Sequence, residues 1–481
     1  MKSERVSAGK VFEERASRLT NVRVSSSKDG AGGEVVRDAA QPAHARPVEP
    51  IGGRVAEQKP REEDASSKSL RDISTLYLCY FGLREPLVQT QVLPYLRKLV
   101  EAGARVSLLT FEPQLGERWT KTELEEMRAR LAAEGIRWLH RPYHKRPSLP
   151  ATLYDVQEGA RVAARLLRRG EINVLHARGH VAALMGALAK RARGGKAKLV
   201  FDIRGFMPEE YTDAGVWPEN GYLYRGVKRV ERFLFASADA FVVLTEKARE
   251  ILFPGRTETD ERGRPVEVIP CCVDFERYRA ADDASREELR RELKLTNRRV
   301  VVYVGSFGGW YMTDEMAQFM ALAHREDATT YSLILTQSEP DLISRRLVAL
   351  GVPETDFFVG KVSPAEVPRY LKASDIAVSF IRACYSKLSS SPTKIAEYLA
   401  AGLPVVCNAG VGDVDACVEG ERVGFVVREF GEAAYREALD AVDAMRREGT
   451  INDRCREVAE RRFDIESVGG AKYRRLYERL L

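Results

Sequence analysis

The rhythm of apolar and polar positions changes near residue 70. From there, short uninterrupted apolar runs alternate with longer segments whose apolar residues recur every three or four positions. The first run, ISTLYLCYF (73–81), has the length and composition of a buried strand. VLPYLRKLVEAG (92–103) follows with helical spacing and ends at Gly103, a residue suited to a helix C-terminus. ARVSLLTFE (104–112) is the next strand. Strand, helix and strand in that order require a parallel crossover. The alternation continues with a helix near 121–134, a strand near 136–140, a helix near 155–169 and a strand at INVLHA (172–177). A helix over 181–193, the strand KLVFDIRG (198–205), a helix near 223–236 and the strand AFVVLT (240–245) complete the series. The pattern predicts a doubly wound α/β domain over residues 71–265.

A polar stretch, PGRTETDERGRP (254–265), interrupts the rhythm, which then restarts. VEVIPCCVD (266–274) enters a second region, and RRVVVYVGS (298–306) predicts the first strand of a new sheet. YSLILT, DFFVG, DIAVSF and PVVCN supply later strands, so residues 266–462 are read as a second α/β domain. Residues 463–481 predict an amphipathic helix carrying Tyr473, Leu476, Leu480 and Leu481, expected to dock back on the first domain. Residues 1–70 contain one aromatic, Phe12, among Ser, Gly, Pro, Glu and Arg. Such a segment buries too little apolar area to offset its ordering entropy and is expected to be a disordered tail.

Composition narrows the classes. No run of about 18 uncharged apolar residues occurs, so no transmembrane helix is expected. The N-terminal residues lack the apolar core of a secretory signal. Lys plus Arg exceeds Asp plus Glu by 6 over 481 residues, too thin a surplus for a dedicated nucleic-acid binder. The seven cysteines include no C-x-x-C pair, which argues against a zinc knuckle or dithiol motif. Their odd number reads as a reducing, cytoplasmic compartment. The basic stretch from Arg161 to Lys198 is chiefly solvated helix surface, with weak peripheral contact to anionic lipid as the alternative.

Several segments carry candidate chemistry. YVGSFGGWY (303–311) places Gly305, Ser306, Gly308 and Gly309 between a strand and a helix, where backbone N–H groups can approach a phosphate. The spacing is not that of the dinucleotide fingerprint, and a plain structural turn has equal weight. In SKLSSSPTKIAEYLAAGLPVVCN (386–408), Pro392 suits the first helical position and Ser391 its N-cap. Lys394 and Glu397 then share one face near a helix N-terminus. That arrangement offers a diphosphate site, with Glu397 placed to accept from two vicinal ribose hydroxyls; a capped helix with an exposed Lys–Glu pair is the plain alternative. VLHARGHVAAL (174–184) and FDIRGFMPEEY (201–211) bring His176, Arg178, His180, Asp202, Arg204, Glu209 and Glu210 to strand ends. Ligands of open parallel sheets bind there. His176 reads as a buried strand residue, whereas His180 and Arg204 are the functional candidates. In the loop GLREPLVQTQV (82–92), Gln89 and Gln91 are set against a polar acceptor, or Thr90 caps the next helix.

The segment around Glu397 resembles the donor-nucleotide motif of family-four retaining glycosyltransferases with the GT-B fold: Glu397, Tyr398, Ala400, Gly402, Pro404, Val405 and Val406 match it. SPTK (391–394) resembles one branch of that family, VIPCCVD (268–274) its interdomain connection, and ADAFVVLT (238–245) the preceding strand. The resemblance covers residues 73–481 and implies two facing Rossmann-like domains. It also implies transfer of a sugar from a UDP- or GDP-linked donor to a hydroxyl on a glycan, lipid-linked or small-molecule acceptor. Retention of configuration, with neither a metal nor a further cofactor, belongs to the same expectation. Catalytic roles then fall to His180, Arg204 and Lys394, and donor binding to Gly305, Ser306, Gly308, Gly309, Lys387, Ser391, Lys394 and Glu397. Ser389 stands where the family often has another Glu, and no Arg or Lys follows the glycine loop. Lys394, then Lys387, then Arg382 are the cations left for the diphosphate. A nucleotide-sugar epimerase using Asp202, Glu209 and Glu210, and a non-catalytic nucleotide-sugar binder, are the rival readings.

Overall fold

The run beginning at Ile73 becomes β1 (Ser74–Cys79), buried along its whole length because another strand lies on each side of it. The computed structural model describes residues 70–279 and 285–480. The tail expected over residues 1–70 lies, up to residue 69, outside the described residues. Six further strands join β1: β2 (Arg105–Pro113), β3 (Ile136–Tyr143), β4 (Val174–Arg178), β5 (Lys198–Asp202), β6 (Ala240–Val243) and β7 (Val266–Val268). They form one parallel sheet in the order β3-β2-β1-β4-β5-β6-β7. The chain winds outward from β1 in both directions, so the strand order reverses between β1 and β4. A crevice opens at the carboxyl ends of strands at such a point.

The second sheet repeats the plan with β8 (Arg299–Val304), β9 (Thr330–Leu335), β10 (Phe357–Gly360), β11 (Ile376–Ser379), β12 (Val405–Asn408) and β13 (Gly424–Val427). Its order is β10-β9-β8-β11-β12-β13, again all parallel, with the reversal between β8 and β11. Helices cover both faces of each sheet, and apolar cores lie on either side. This is the GT-B architecture. β7 belongs to the first sheet, so that sheet extends past the boundary expected at 265/266. β7 and β13 have three and four residues, too few for a periodic signal.

Two segments connect the domains side by side. Val273 donates its amide to the Phe463 carbonyl at 2.8 Å, and Ile465 donates to Val273 at 2.9 Å. After this crossing the chain re-enters the first domain as the helix Ala471–Glu478. Tyr473, Leu476, Tyr477 and Leu480 are buried in the same core as β1. The Tyr477 hydroxyl bonds to Thr75 Oγ1 at 3.0 Å and His176 Nδ1 at 2.9 Å. The Tyr473 hydroxyl donates to Asp202 at 3.1 Å. Arg475 grips buried Glu267 through two bonds of 2.8 and 2.7 Å.

Tyr477→Phe keeps the ring and removes both hydroxyl bonds, and is expected to lower unfolding free energy by about 1–3 kcal/mol. Tyr477→Ala also empties the core and is expected to cost about 3–5 kcal/mol. Urea unfolding of the two variants beside the parent checks this order; a Tyr477→Phe variant as stable as the parent would mean the hydroxyl is idle.

Candidate active site

The end of β8 and the start of the helix Thr393–Ala400 come together at one lysine. Lys394 Nζ donates to the Tyr303 hydroxyl at 3.1 Å and lies 4.2 Å from the Tyr303 ring centroid and 4.3 Å from that of Tyr311. The ammonium is almost fully enclosed and has no carboxylate within ion-pair distance among the described residues. Burial therefore pushes its pKa down to about 7, with Glu397 opposing the shift. Gly305 follows β8 with φ 145°, and a Cβ there would lie 2.6 Å from Lys394 Nζ. The loop must pass this close for its amides and the lysine to address one ligand.

Not every amide of that loop is available. Gly305 N–H donates to Leu335, Phe307 N–H to Ser338 Oγ and Gly308 N–H to Thr313 Oγ1. Among the described residues, the Ser306 and Gly309 amides have no acceptor. Tyr398 anchors the other side, its hydroxyl accepting from Val304 N–H at 2.8 Å. The carboxylate of Glu397, half-buried one turn after Lys394, makes no hydrogen bond or ion pair among the described residues. Burial raises its pKa, against the pull of Arg277 and Lys394.

The serine run serves the seam between the domains. The helix begins at Thr393, with Pro392 at the cap position and no side-chain cap. The Ser391 hydroxyl instead accepts from Cys271 N–H of the interdomain connection at 3.1 Å, which corrects its expected role as N-cap. Ser389 Oγ accepts from Phe206 N–H at 3.1 Å, and Ser386 N–H donates to Asp213 at 2.8 Å. Lys387 Nζ pairs with Glu210 at 3.1 Å and lies 4.1 Å from the Trp310 ring centroid, so its charge is already matched across the seam. Arg382 also stacks on Trp310 and donates to the Asp213 carbonyl at 2.8 Å.

Arg204 stands at the end of β5 facing Asp202, with a closest approach of 3.5 Å. His180 lies elsewhere. It is the second residue of the helix Gly179–Ala192, and its Nε2 bonds to Glu231 at 3.0 Å. Glu231 pairs with Lys228, which reaches Glu209 at 3.1 Å. The partners of His180, Glu231 and the edge-on ring of Phe201, belong to the first domain, the half in which the sequence places it. Gln89 and Gln91 are likewise engaged, donating to the Leu83 and Cys272 carbonyls at 2.6 and 2.9 Å. Thr90 lies within the helix Pro86–Gln91 and does not cap the next one, Leu93–Glu101, whose N-cap is Val92. In sequence Tyr303 fits an apolar core as well as a site, so its contact with Lys394 shows only in the structure. Among the described residues, no group of three His, Cys, Asp or Glu side chains converges as a metal-ligand set.

Two all-parallel sheets of seven and six strands give the chain the GT-B fold. Residues 88–272 match the family model of a glycosyl transferase 4-like domain, and residues 298–442 match glycosyl transferases group 1. Together they support a family-four-type glycosyltransferase. Spore coat protein SA of Bacillus subtilis (strain 168) is 24% identical over 194 residues, a match spanning 38% of this chain and 50% of that protein. HepE of Anabaena, solved with UDP and glucose, superposes with a TM-score of 0.60 at 16% identity, over 84% of this chain and 100% of that one. Sucrose-phosphate synthase of Thermosynechococcus elongatus gives 0.63 at 15% identity, over 85% and 99%. WaaG, a glycosyltransferase of lipopolysaccharide biosynthesis, gives 0.57 at 16%, over 84% and 99%.

Gly305→Ala places a methyl group against Lys394 Nζ at a backbone angle that side chains avoid. It is expected to lower stability by about 1–3 kcal/mol. It also displaces the ammonium from Tyr303. Thermal melting, with amine resonances of lysine followed by NMR, reads both effects; an unmoved Lys394 signal would show that the contact is not made.

Proposed function

We propose that the chain transfers a sugar from a UDP- or GDP-linked donor to an acceptor hydroxyl, with retention of configuration. The observation that carries this reading is Lys394, an ammonium site without a carboxylate partner, at the carboxyl end of β8 beside two unbonded amides. As the glycosidic bond to the donor breaks, negative charge grows on the departing diphosphate and positive charge on the sugar. Lys394 and the Ser306 and Gly309 amides stabilise the former. Gly308 contributes its backbone conformation, since its own amide is bonded to Thr313. Glu397, free of protein partners, accepts from the ribose hydroxyls. Arg204 lies on the sugar and acceptor side, and Ser391 and Lys387 hold the domains in register around the donor. His180 is a positioning residue that ties its helix to Tyr222–Ser237 through Glu231. No metal enters this scheme, and of the carboxylates the epimerase reading would use, Glu209 and Glu210 are already paired with Lys228 and Lys387.

A specific surface favours a glycan or lipid-linked acceptor handled at the inner face of a membrane. The helices Ser148–Arg168 and Gly179–Ala192 expose Leu149, Leu153, Tyr154 and Leu188 beside Arg161, Arg165 and Arg168. Apolar side chains rimmed by cations suit weak contact with an anionic bilayer. No described helix is long and apolar enough to cross one. Leu149→Ser with Leu153→Ser is expected to reduce co-sedimentation with phosphatidylglycerol vesicles severalfold; undiminished sedimentation removes this part of the reading.

In the free protein Lys394 is half ionised near pH 7, and a diphosphate favours the ionised form. Binding above pH 7 must therefore take up a proton. UDP or GDP affinity is expected to fall as pH rises from 7 to 9, by at most about tenfold per unit. Lys394→Met is expected to weaken binding about tenfold to a hundredfold and to flatten that slope. Calorimetry in buffers of different ionisation enthalpy measures both. Sugar-nucleotide turnover with chelator present, and the anomeric form of the product, then separate retaining transfer from epimerisation and from binding alone. Undiminished affinity in Lys394→Met would refute the donor-site assignment.

A further inference from the structure

We propose that Arg204 is the recognition group of an oxyanion subsite, taking a carboxylate or phosphate group carried by the acceptor at the carboxyl ends of β4 and β5. The word acceptor rests on the glycosyltransferase reading; the anion site itself does not. The Arg204 side chain is only 12% exposed, yet Nε, Nη1 and Nη2 all lack a hydrogen-bond acceptor. Its one neighbouring carboxylate, Asp202, is 3.5 Å away and heavily shared. Asp202 also faces Arg178 at 3.9 Å, His176 at 3.6 Å, the Tyr77 hydroxyl at 3.4 Å and the Tyr473 hydroxyl at 3.1 Å.

Among the described residues, Asp202 is the only carboxylate within ion-pair distance of either guanidinium. Burial holds His176 below its ordinary pKa, so the imidazole adds no charge at neutral pH. Two buried cations against one anion leave a surplus of one positive charge. Asp202 Oδ1, His176 Nε2 and Gln91 Oε1 are also buried and without hydrogen-bond partners, so the unsatisfied polarity is concentrated here. Arg178 makes one long bond, 3.4 Å, to the Gln91 carbonyl.

Burying a guanidinium with none of its donors bonded is costly. Water can supply acceptor atoms but cannot neutralise the charge. An oxyanion does both, and two of its oxygens fit the fork of a guanidinium. The position suits a ligand. It adjoins the reversal between β1 and β4, and two residues beyond Arg204 the Phe206 amide bonds to Ser389 of the donor domain.

The test uses the full chain. UDP is titrated first by calorimetry, which judges the donor reading alone. With UDP saturating, inorganic phosphate and, in a separate arm, acetate are then titrated into the parent, Arg204→Gln and Arg204→Lys. The expected result is saturable binding of one anion, weakened about tenfold or more by Arg204→Gln and less by Arg204→Lys. The arm with the tighter binding identifies the group. Where Arg204→Gln does not fold, Arg204→Lys carries the comparison, because it keeps the charge and loses the fork. No saturable binding in the parent, or equal binding in the variants, overturns the proposal. Arg204-dependent anion binding in a protein that ignores UDP supports the subsite and sinks the donor assignment.

Discussion

A backbone amide enclosed where two domains meet must find an acceptor. This requirement organises the seam. The Phe206 and Cys271 amides of the first half are received by Ser389 and Ser391 of the second. Asp413 receives the Glu246 and Lys247 amides at 2.6 and 3.2 Å, at the start of the helix Glu246–Leu252. The Thr245 hydroxyl donates to the Leu388 carbonyl at 2.8 Å. Hydroxyls and the carboxylates of Asp213, Glu210 and Asp413 thus hold the carboxyl edges of two parallel sheets against each other. Everything placed on those edges, Lys394 and Arg204 included, takes its relative position from them.

Lys394 and Arg204 are treated differently by their surroundings. Lys394 lies on two tyrosine rings with a single hydroxyl acceptor, and burial lowers the cost of losing its proton. Arg204 cannot give up a proton in the same way, so its charge persists and must be answered from outside the side chain. A lysine that changes charge with its ligand and an arginine that cannot are suited to different partners: the first to one that comes and goes as a leaving group, the second to one that stays anionic throughout.

Much of this was legible in the sequence. Long buried strands such as β1 and β8 announce themselves, because both faces of a parallel sheet are covered and the run stays apolar. The returning C-terminal helix was visible in Tyr473, Leu476 and Leu480. Ser391 was misread for a physical reason: a hydroxyl just before Pro392 suits a helix cap and an interdomain acceptor equally well, and sequence does not show what lies across the seam. The carboxylate that holds His180 was equally invisible, since Glu231 is 51 positions away. Tyr303 and Tyr311 gave no sign of their role, although the rings of both and the hydroxyl of Tyr303 shape the lysine's environment.

The bond between Thr75 and Tyr477 joins residues 402 positions apart. During synthesis β1 leaves the ribosome early, whereas the helix that seals its core emerges only after the whole second domain. The first domain must therefore wait, with part of its apolar core open, while its neighbour can already close. Domains usually fold in order of emergence. Here completion runs in the reverse order, and the half built first is the half most exposed to chaperones and to aggregation until that helix has emerged.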